Sequence, residues 1–184
     1  MRQDTAKSKC SDREALWLIG FRINPEREDP EIYTLIAHRD KDRPLVVDNQ
    51  IVFFTRPELA IKALELADPN IKKLGPPPKD VDLVCDLAET LYLIDSKDID
   101  PSATIINFLN TLFDLVAAID TPIPSEYKQV LYSFADHLTF NRGYGKFLTQ
   151  QKISRSMIIN AIYWCVGAVF CNTHTLTKNS RGHL

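Results

Sequence analysis

The sequence lacks the short motifs that mark the commonest catalytic and metal sites. Its four cysteines (Cys10, Cys85, Cys165 and Cys171) include no CxxC pair, whereas a structural zinc site needs four ligands in closely spaced groups. There is no GxSxG segment to present a nucleophilic serine, and no GxxxxGKS or GxxxxGKT loop to bind phosphates. These absences argue against a zinc centre, a nucleophile elbow and a P-loop. The sequence indicates no metal and no cofactor.

The sequence also has no apolar run long enough to cross a bilayer. Its longest run, Met157–Cys171, is near-continuous, and Asn160 is its only strongly polar residue. As a helix it would be roughly 23 Å long, against a hydrocarbon core of about 30 Å. We therefore expect no membrane partner, and we predict a central helix with neighbours on nearly every side. The first residues carry no apolar, signal-like segment, so we expect a cytoplasmic protein with reduced thiols.

Acidic residues are missing from the last part of the chain. Beyond Asp136 there is no Asp or Glu, and residues 137–184 carry six Lys or Arg. Residues 1–136 hold 16 Lys or Arg against 24 Asp or Glu. This asymmetry indicates either two halves of one domain that attract each other or a field that steers a partner. The basic residues are too dispersed for a nucleic-acid stripe, and a sequence pI near 6.1 also argues against a nucleic-acid partner.

The first third of the sequence has the pattern of strands followed by a helix. Ala15–Ile23 and Glu31–His38 are apolar runs bounded by charged segments, which favours two strands. Leu45–Val47 and Ile51–Phe54 flank Asp-Asn-Gln, which indicates a short hairpin. Thr55 then begins a predicted helix, with a proline in the first turn and a glutamate at the third helical position.

Three successive prolines mark the strongest interruption in the sequence, because they fit neither a helix interior nor a central strand. We predict an α+β protein with a small N-terminal β-hairpin and sheet unit carrying one helix, followed by a helical bundle around a buried C-terminal helix. Both parts could also form one compact domain. The predicted boundaries are a flexible tail at 1–14, the α+β unit at 15–74, a Pro-rich connector at 75–80, the bundle at 81–172 and a polar tail at 173–184.

The predicted bundle has four helical segments. Leu83–Ile94 and Pro101–Ile119 carry apolar residues at helical spacing, although a strand is an alternative for the end of the first segment. A third helix begins at Ser125. Ser154 is the expected N-cap of the last helix, which Asn172 ends.

Candidate catalytic and anion-binding residues cluster near the end of the third of these helices. Asp136 and His137 are adjacent, so on a helix they diverge by about 100° and do not form a pair with each other. His137 would need a carboxylate from a neighbouring helix, Asp114 or Glu89, to act as a general base. Arg142 and Lys146 flank two glycines in a predicted loop and could bind an anion. An unrecognised enzyme or a small-molecule or anion-binding protein with a site near His137 and Arg142 is therefore one hypothesis.

The other hypothesis is a non-enzymatic protein-interaction module, such as an adaptor, an immunity-type inhibitor or an assembly subunit. It depends on the absence of catalytic motifs and on edge strands that could pair with a partner's sheet. We expect another protein as partner, and the sequence favours this hypothesis over an enzyme. The candidate contact residues are acidic residues of predicted loops: Glu26, Glu28, Asp29, Asp40 and Asp42.

Overall fold

The computed structural model of the chain describes residues 14–96, 103–140 and 144–178. These residues form one mixed sheet with helices on both faces, which confirms the predicted α+β class. The strands are β1 (Ala15–Arg22), β2 (Ile32–His38), β3 (Arg43–Pro44), β4 (Val46–Val47), β5 (Gln50–Phe54), β6 (Leu83–Asp86) and β7 (Thr173–Leu176). The α-helices are α1 (Ala60–Leu66), α2 (Pro69–Lys72), α3 (Leu87–Asp95), α4 (Ala103–Ala117), α5 (Ser125–Phe140), α6 (Tyr144–Gln151) and α7 (Arg155–Cys171).

The sheet combines an antiparallel centre with a parallel strand at each side. β1 and β2 pair antiparallel, β6 adds parallel to β1, and β7 adds parallel to β5. The Ile51 N–H donates to the Asn172 carbonyl, whereas the Val52 N–H donates to the Leu45 carbonyl, each at 2.9 Å. Because these two N–H groups point in opposite directions, β7 and the β3–β4 segment lie on opposite sides of β5. Within the described residues, β6 and β7 are therefore the outermost strands.

Alternation along the central strands gives the protein two hydrophobic cores. Leu35 and Phe54 face one side of the sheet, where α1 covers them. Ile36 and Phe53 face the other side, where they join a larger cluster with residues of α3 to α7. The sheet of the predicted N-terminal unit thus supplies part of the core of the predicted bundle. Side chains alternate between the two faces of a strand, so a sheet that is covered on both faces contributes to two cores.

The hairpin prediction is confirmed, but the predicted start of the first helix is wrong. Asp48 and Asn49 have φ of 51° and 60°, the left-handed pair that a two-residue type I′ hairpin turn needs. Thr55 does not cap a helix, because Arg56 holds the N-cap position and the turn that follows has no side-chain cap. The Thr55 N–H, just beyond β5, donates to the Leu176 carbonyl. A 3₁₀ turn at Pro57–Leu59 leads into α1 instead.

Two strands lie where the sequence pattern indicates a helix and a tail. Residues 83–86 extend the sheet as β6 before α3 begins, and Asp86 caps that helix by accepting the Glu89 N–H at 2.9 Å. Residues 173–176, assigned to the polar tail from their composition, pair with β5 as β7. Leu176 is the one residue of β7 that enters a core. The sequence of this strand therefore contains a single apolar residue, too few to predict a strand from hydrophobicity.

The last helix begins and ends where predicted, but the prediction that neighbours surround it is wrong. Ser154 caps α7 by accepting the Met157 N–H at 3.2 Å, and Asn172 follows its last turn. α7 packs against α3, α4 and α5 through one face only. Its buried residues are Ile158, Ala161, Ile162, Cys165 and Val169, and its partly buried residues are Ile159, Trp164, Val166 and Ala168.

Candidate functional site

The opposite side of α7 is exposed although its sequence is apolar. From Ser156 to Cys171 the helix carries no charged residue, whereas a helix on a protein surface normally presents charged and polar side chains to water. Tyr163 is 53% exposed and Phe170 is 45% exposed. The exposed residues, which we call the α7 face, are Ser156, Met157, Asn160, Tyr163, Gly167, Phe170 and Cys171.

The centre of the α7 face is open enough for another backbone to approach. Apart from its two chain neighbours and the nearby backbone of α7 itself, a Cβ atom built on Gly167 would meet no heavy atom within 4 Å. Gly167 therefore forms a gap between the larger side chains of Tyr163 and Phe170. Small residues allow two helices to come close together, so the shape of this surface suits a protein element better than a small ligand.

One end of the α7 face continues into an apolar cleft between the sheet and α4. Phe170 stacks on Phe53 of β5, with ring centroids 6.3 Å apart, and Ile23 at the end of β1 lines the cleft beside it. The cleft has a volume of about 30 Å³, and every residue around it is apolar. Apolar side chains of this kind offer water no hydrogen-bond partner. Its lining residues are Phe21, Ile23, Ile32, Phe53, Leu87, Phe108, Leu112, Leu115, Val166, Val169 and Phe170.

A loop of residues 23–31, which we call the acidic loop, connects β1 to β2 at this end of the α7 face. The Glu31 carboxylate accepts the N–H groups of Ile23 at 2.6 Å and Asn24 at 2.8 Å. These two hydrogen bonds lower the pKa of Glu31 because they stabilise its charged form. The bond from Asn24 has the larger effect. The loop is therefore held at the mouth of the apolar cleft. It exposes three of the acidic residues that the sequence predicts as contacts: Glu26, Glu28 and Asp29.

The other end of the α7 face is basic. Lys152 lies in the turn between α6 and α7, is exposed, and has a φ of 54°. Arg155 is the first residue of α7. The N-terminus of a helix also carries partial positive charge from its free N–H groups. The α7 face therefore runs from a positive end at Lys152 to a negative end at the acidic loop.

A second group of polar residues surrounds the turn between β2 and β3. The Nδ1 atom of His38 lies 2.6 Å from the Oδ1 atom of Asp42. The imidazole also stacks on the Trp17 indole, with centroids 4.6 Å apart and an interplanar angle of 7°. Arg39 donates to the Asn70 carbonyl at 2.8 Å. Two further predicted contact residues, Asp40 and Asp42, thus lie in one polar turn on a different part of the surface from the acidic loop.

Asp114 of α4 shares a cleft of about 370 Å³ with Asp42. Burial, together with the nearby negative charge of Asp42, raises the pKa of Asp114 to about 6. Lys41, Arg43 and Asp68 also line this cleft. The group contains charges of both signs and one carboxyl that takes up a proton near neutral pH, so it could bind a small polar ligand.

The structure describes only part of the candidate site that the sequence predicts near the end of α5. Asp136 is exposed, and the His137 ring lies 4.9 Å from the Phe147 ring of α6. Arg142 lies outside the described residues. Lys146 belongs to α6, but its side chain is also outside the described part. Asp114, a suggested partner of His137, lines the cleft with Asp42.

Sequence reasoning missed the α7 face, although a signal for it exists. Asn160 and Gly167 interrupt the apolar run and are seven residues apart, so they lie on one side of a helix. The spacing of the exposed positions 156, 160, 163, 167 and 170 alternates between four and three. This pattern is typical of a helix seam that packs against another helix.

Asp86 is a further residue that the sequence did not single out. Its side chain is 5% exposed and forms an ion pair with Arg22 of β1. The same carboxylate caps α3. Asp86 therefore ties β6 to β1 and fixes the start of α3, which is a structural role.

Comparison of the chain with protein-family profiles, with curated proteins and with solved structures found no match. Among the described residues, none of the helices combines the length and apolar character needed to cross a membrane. In the same part of the chain, no three His, Cys, Asp or Glu side chains meet in a group that could hold a metal ion.

Proposed function

We propose that this protein functions by binding another protein chain through the α7 face and the adjoining cleft. The observation that carries the proposal is the exposed, uncharged surface from Ser156 to Cys171, with Tyr163 and Phe170 about half exposed. Contiguous apolar patches on a protein surface mark interaction sites, and aromatic residues contribute most of the binding energy at such sites.

The composition of the patch and its border agrees with a protein partner. The centre of an interface is depleted in charge, whereas its rim is polar. Here the exposed side chains of Met157, Tyr163 and Phe170 lie between two charged ends, the acidic loop and Lys152. The charged ends would orient the partner and speed its association.

Site-specific photocrosslinking in living cells tests the proposal. A photoreactive phenylalanine derivative replaces Tyr163, and the matched control carries it at Tyr92, an aromatic residue of α3 that is 72% exposed. We expect a defined protein adduct from position 163 and none from position 92. Adducts at neither position, with normal folding of both variants, would contradict the proposal. The mass of an adduct distinguishes a second copy of the chain from a different protein.

The cellular location that we propose for this function is the cytoplasm. Among the described residues, Cys85, Cys165 and Cys171 are all free thiols, as expected in a reducing compartment. Burial raises the pKa of Cys85 and of Cys165 to about 11. These two thiols are therefore unreactive core residues rather than nucleophiles.

A second candidate function is the binding of a small polar ligand at the cleft shared by Asp42 and Asp114. The shared cleft and the raised pKa of Asp114 support this candidate. Ligand-observed NMR with a panel of small amines and amino acids tests it, with Asp114→Asn as the variant. We expect a compound that binds the wild type and loses affinity for Asp114→Asn. If no compound in the panel binds, this candidate is rejected.

A further inference from the structure

We propose that the partner of the α7 face is a second copy of this chain, packed antiparallel across a two-fold axis beside Tyr163. This inference rests on the proposed function, because it names the occupant of the same surface. Three properties of the α7 face support it. They are the distribution of charge, the sizes of the residues that such an axis would bring together, and the spacing of the exposed residues along the helix.

Charge complementarity distinguishes an antiparallel pair from a parallel one. The acidic loop lies beside Phe170, since Ile23 and Phe170 line the same cleft, and Lys152 lies before the first turn of α7. A two-fold axis across the middle of the helix brings the acidic loop of each copy to the basic end of the other. A parallel pair would instead place like charges together, which is unfavourable.

The same arrangement gives a reason for the uneven charge of the sequence. Residues 137–184 contain basic but no acidic residues, and Glu26, Glu28 and Asp29 lie in the first part of the chain. An isologous interface uses each patch twice, so one acidic end and one basic end are sufficient to make two complementary contacts.

Residue sizes along the α7 face also suit an antiparallel pair. In the register centred beside Tyr163, Met157 packs opposite Phe170 of the second copy and Asn160 packs opposite Gly167. The open space around Gly167 accommodates the Asn160 amide. Each of these contacts occurs twice because the axis exchanges the two helices.

The spacing of the exposed residues indicates how the helices cross. Alternating steps of four and three residues are those of a coiled-coil seam, for which helices cross at about 20° with axes 8–10 Å apart. A single polar residue within such a seam fixes register and orientation. Asn160, the only strongly polar residue of the run, occupies that position on the α7 face.

The size of the surface sets the expected strength of the pair. The α7 face is about 23 Å long and about 10 Å wide, from the helix rise and diameter. It therefore covers a few hundred Å² in each copy, below the ~800 Å² of a standard interface. We expect a reversible dimer with a micromolar dissociation constant that weakens as salt screens the charged ends.

Sedimentation equilibrium of the full chain tests whether the dimer exists. We expect the average mass to rise from monomer to dimer with concentration, and Tyr163→Glu to raise the dissociation constant at least ~100-fold. The control Tyr92→Glu changes a comparably exposed aromatic of α3 and should dimerise like the wild type. A wild type that is monomeric at all concentrations up to ~1 mM would overturn the inference.

Charge reversal tests the orientation. Lys152→Glu should weaken the dimer about threefold to tenfold, as expected for charges at the rim of an interface. Adding Glu26→Lys and Glu28→Lys to the same chain should restore the affinity, because each charged end then meets the opposite charge again. If the triple variant is weaker than Lys152→Glu alone, the antiparallel arrangement is wrong.

Disulfide trapping tests the register. In the proposed pair, Ser156 lies opposite the exposed Cys171 of the second copy. Ser156→Cys should therefore give a covalent dimer on mild oxidation with diamide, and adding Cys171→Ser should abolish it. Dimers in sedimentation without this crosslink would overturn the register.

The crosslinking result at position 163 separates failure of the pair from failure of the proposed function. An adduct with a different protein, together with a monomeric chain in sedimentation, would contradict self-association and leave the interaction function intact. The absence of any adduct together with a monomeric chain would contradict both.

Discussion

The Glu31 carboxylate accepts the Ile23 N–H at 2.6 Å, and this contact fixes where the acidic loop meets the end of α7. Ile23 is the first residue after β1, and its side chain lines the apolar cleft with Phe170. A hydrogen bond to one carboxylate therefore links the shape of the loop to the border of the α7 face.

Replacing this carboxylate should loosen the loop without unfolding the protein. Glu31→Gln keeps the size of the side chain but removes the charge that two N–H groups share. We expect the Tm to fall by about 2 to 4 °C, the shift that a loss of about 1 kcal/mol produces in a chain of this size. Thermal unfolding followed by circular dichroism measures the change. No decrease in Tm would show that the loop is held by other contacts.

The effect of this substitution should depend on pH. The native pKa of Glu31 lies below its ordinary value of 4.5, so its stabilising effect is complete above that value and is lost as the pH falls through the native pKa. The difference in Tm between wild type and Glu31→Gln should accordingly be constant from pH 6 to 8 and shrink in acid.

Asp114 should show the opposite pH dependence. Its native pKa of about 6 lies above the ordinary 3.8, so the native state retains a proton that the unfolded state has lost. This contribution favours folding at low pH and declines as the pH rises from about 4 to about 6. Asp114→Asn should stabilise the protein at pH 7 by about 1 kcal/mol, less than the full shift implies because water screens a half-exposed side chain. Urea unfolding at pH 4 and pH 7 measures both effects; equal differences at the two pH values would contradict the raised pKa.

Two glycines should respond in opposite ways to the same substitution. A Cβ atom on Gly20 would lie 2.7 Å from the Cγ atom of Pro30, whereas one on Gly167 would meet nothing within 4 Å. Gly20→Ala should therefore destabilise the protein by about 1 to 3 kcal/mol through a clash in the sheet. Gly167→Ala should be neutral or slightly stabilising in the monomer, because alanine favours a helix. Urea unfolding of both variants at a concentration where the chain is monomeric tests the pair, and equal losses would contradict the packing around Pro30.

Adjacent residues of α7 provide a test of which side is buried. Ile162 is fully buried, whereas Tyr163 is about half exposed. Ile162→Asp should unfold the protein because it buries an unpaired charge, with a loss of more than about 4 kcal/mol. Tyr163→Asp should leave the monomer folded, within about 1 kcal/mol of the wild type. Solubility and the circular dichroism of both variants decide the point; a folded Ile162→Asp protein would mean that the helix is rotated.

Local patterns predicted the elements whose partners are near in sequence. The apolar run at Ala15–Ile23 predicts β1, and the polar residues at Asp48–Asn49 between two apolar segments predict the hairpin. β6 was missed because Leu83–Ile94 continues a helical spacing across the point where the strand ends. Asp86, the last residue of that strand, caps α3 and also forms an ion pair with Arg22. The ion pair could not be predicted from local sequence because Arg22 is distant along the chain.

The exposed side of α7 could not be deduced from hydrophobicity alone. Both sides of the helix are apolar, so composition favours complete burial, and the choice between core and surface depends on which neighbouring helices pack against it. Asn160 and Gly167 lie on the same side of the helix, and they are the two residues of the run that indicate which side is exposed. The clustering of Asp42 with Asp114 was equally hidden, because it depends on how α4 lies across the sheet.

The parallel pairing of β5 with β7 has a consequence for how the chain reaches its native state. Ile51 acquires its partner Thr173 only when a segment that follows α3 to α7 in the sequence returns to the sheet. Until then β5 presents an unsatisfied edge, which is where an incompletely folded chain is prone to aggregate. Such distant contacts are typical of slow folding. We therefore expect closure of this edge and docking of α7 to occur together, as the last step of refolding.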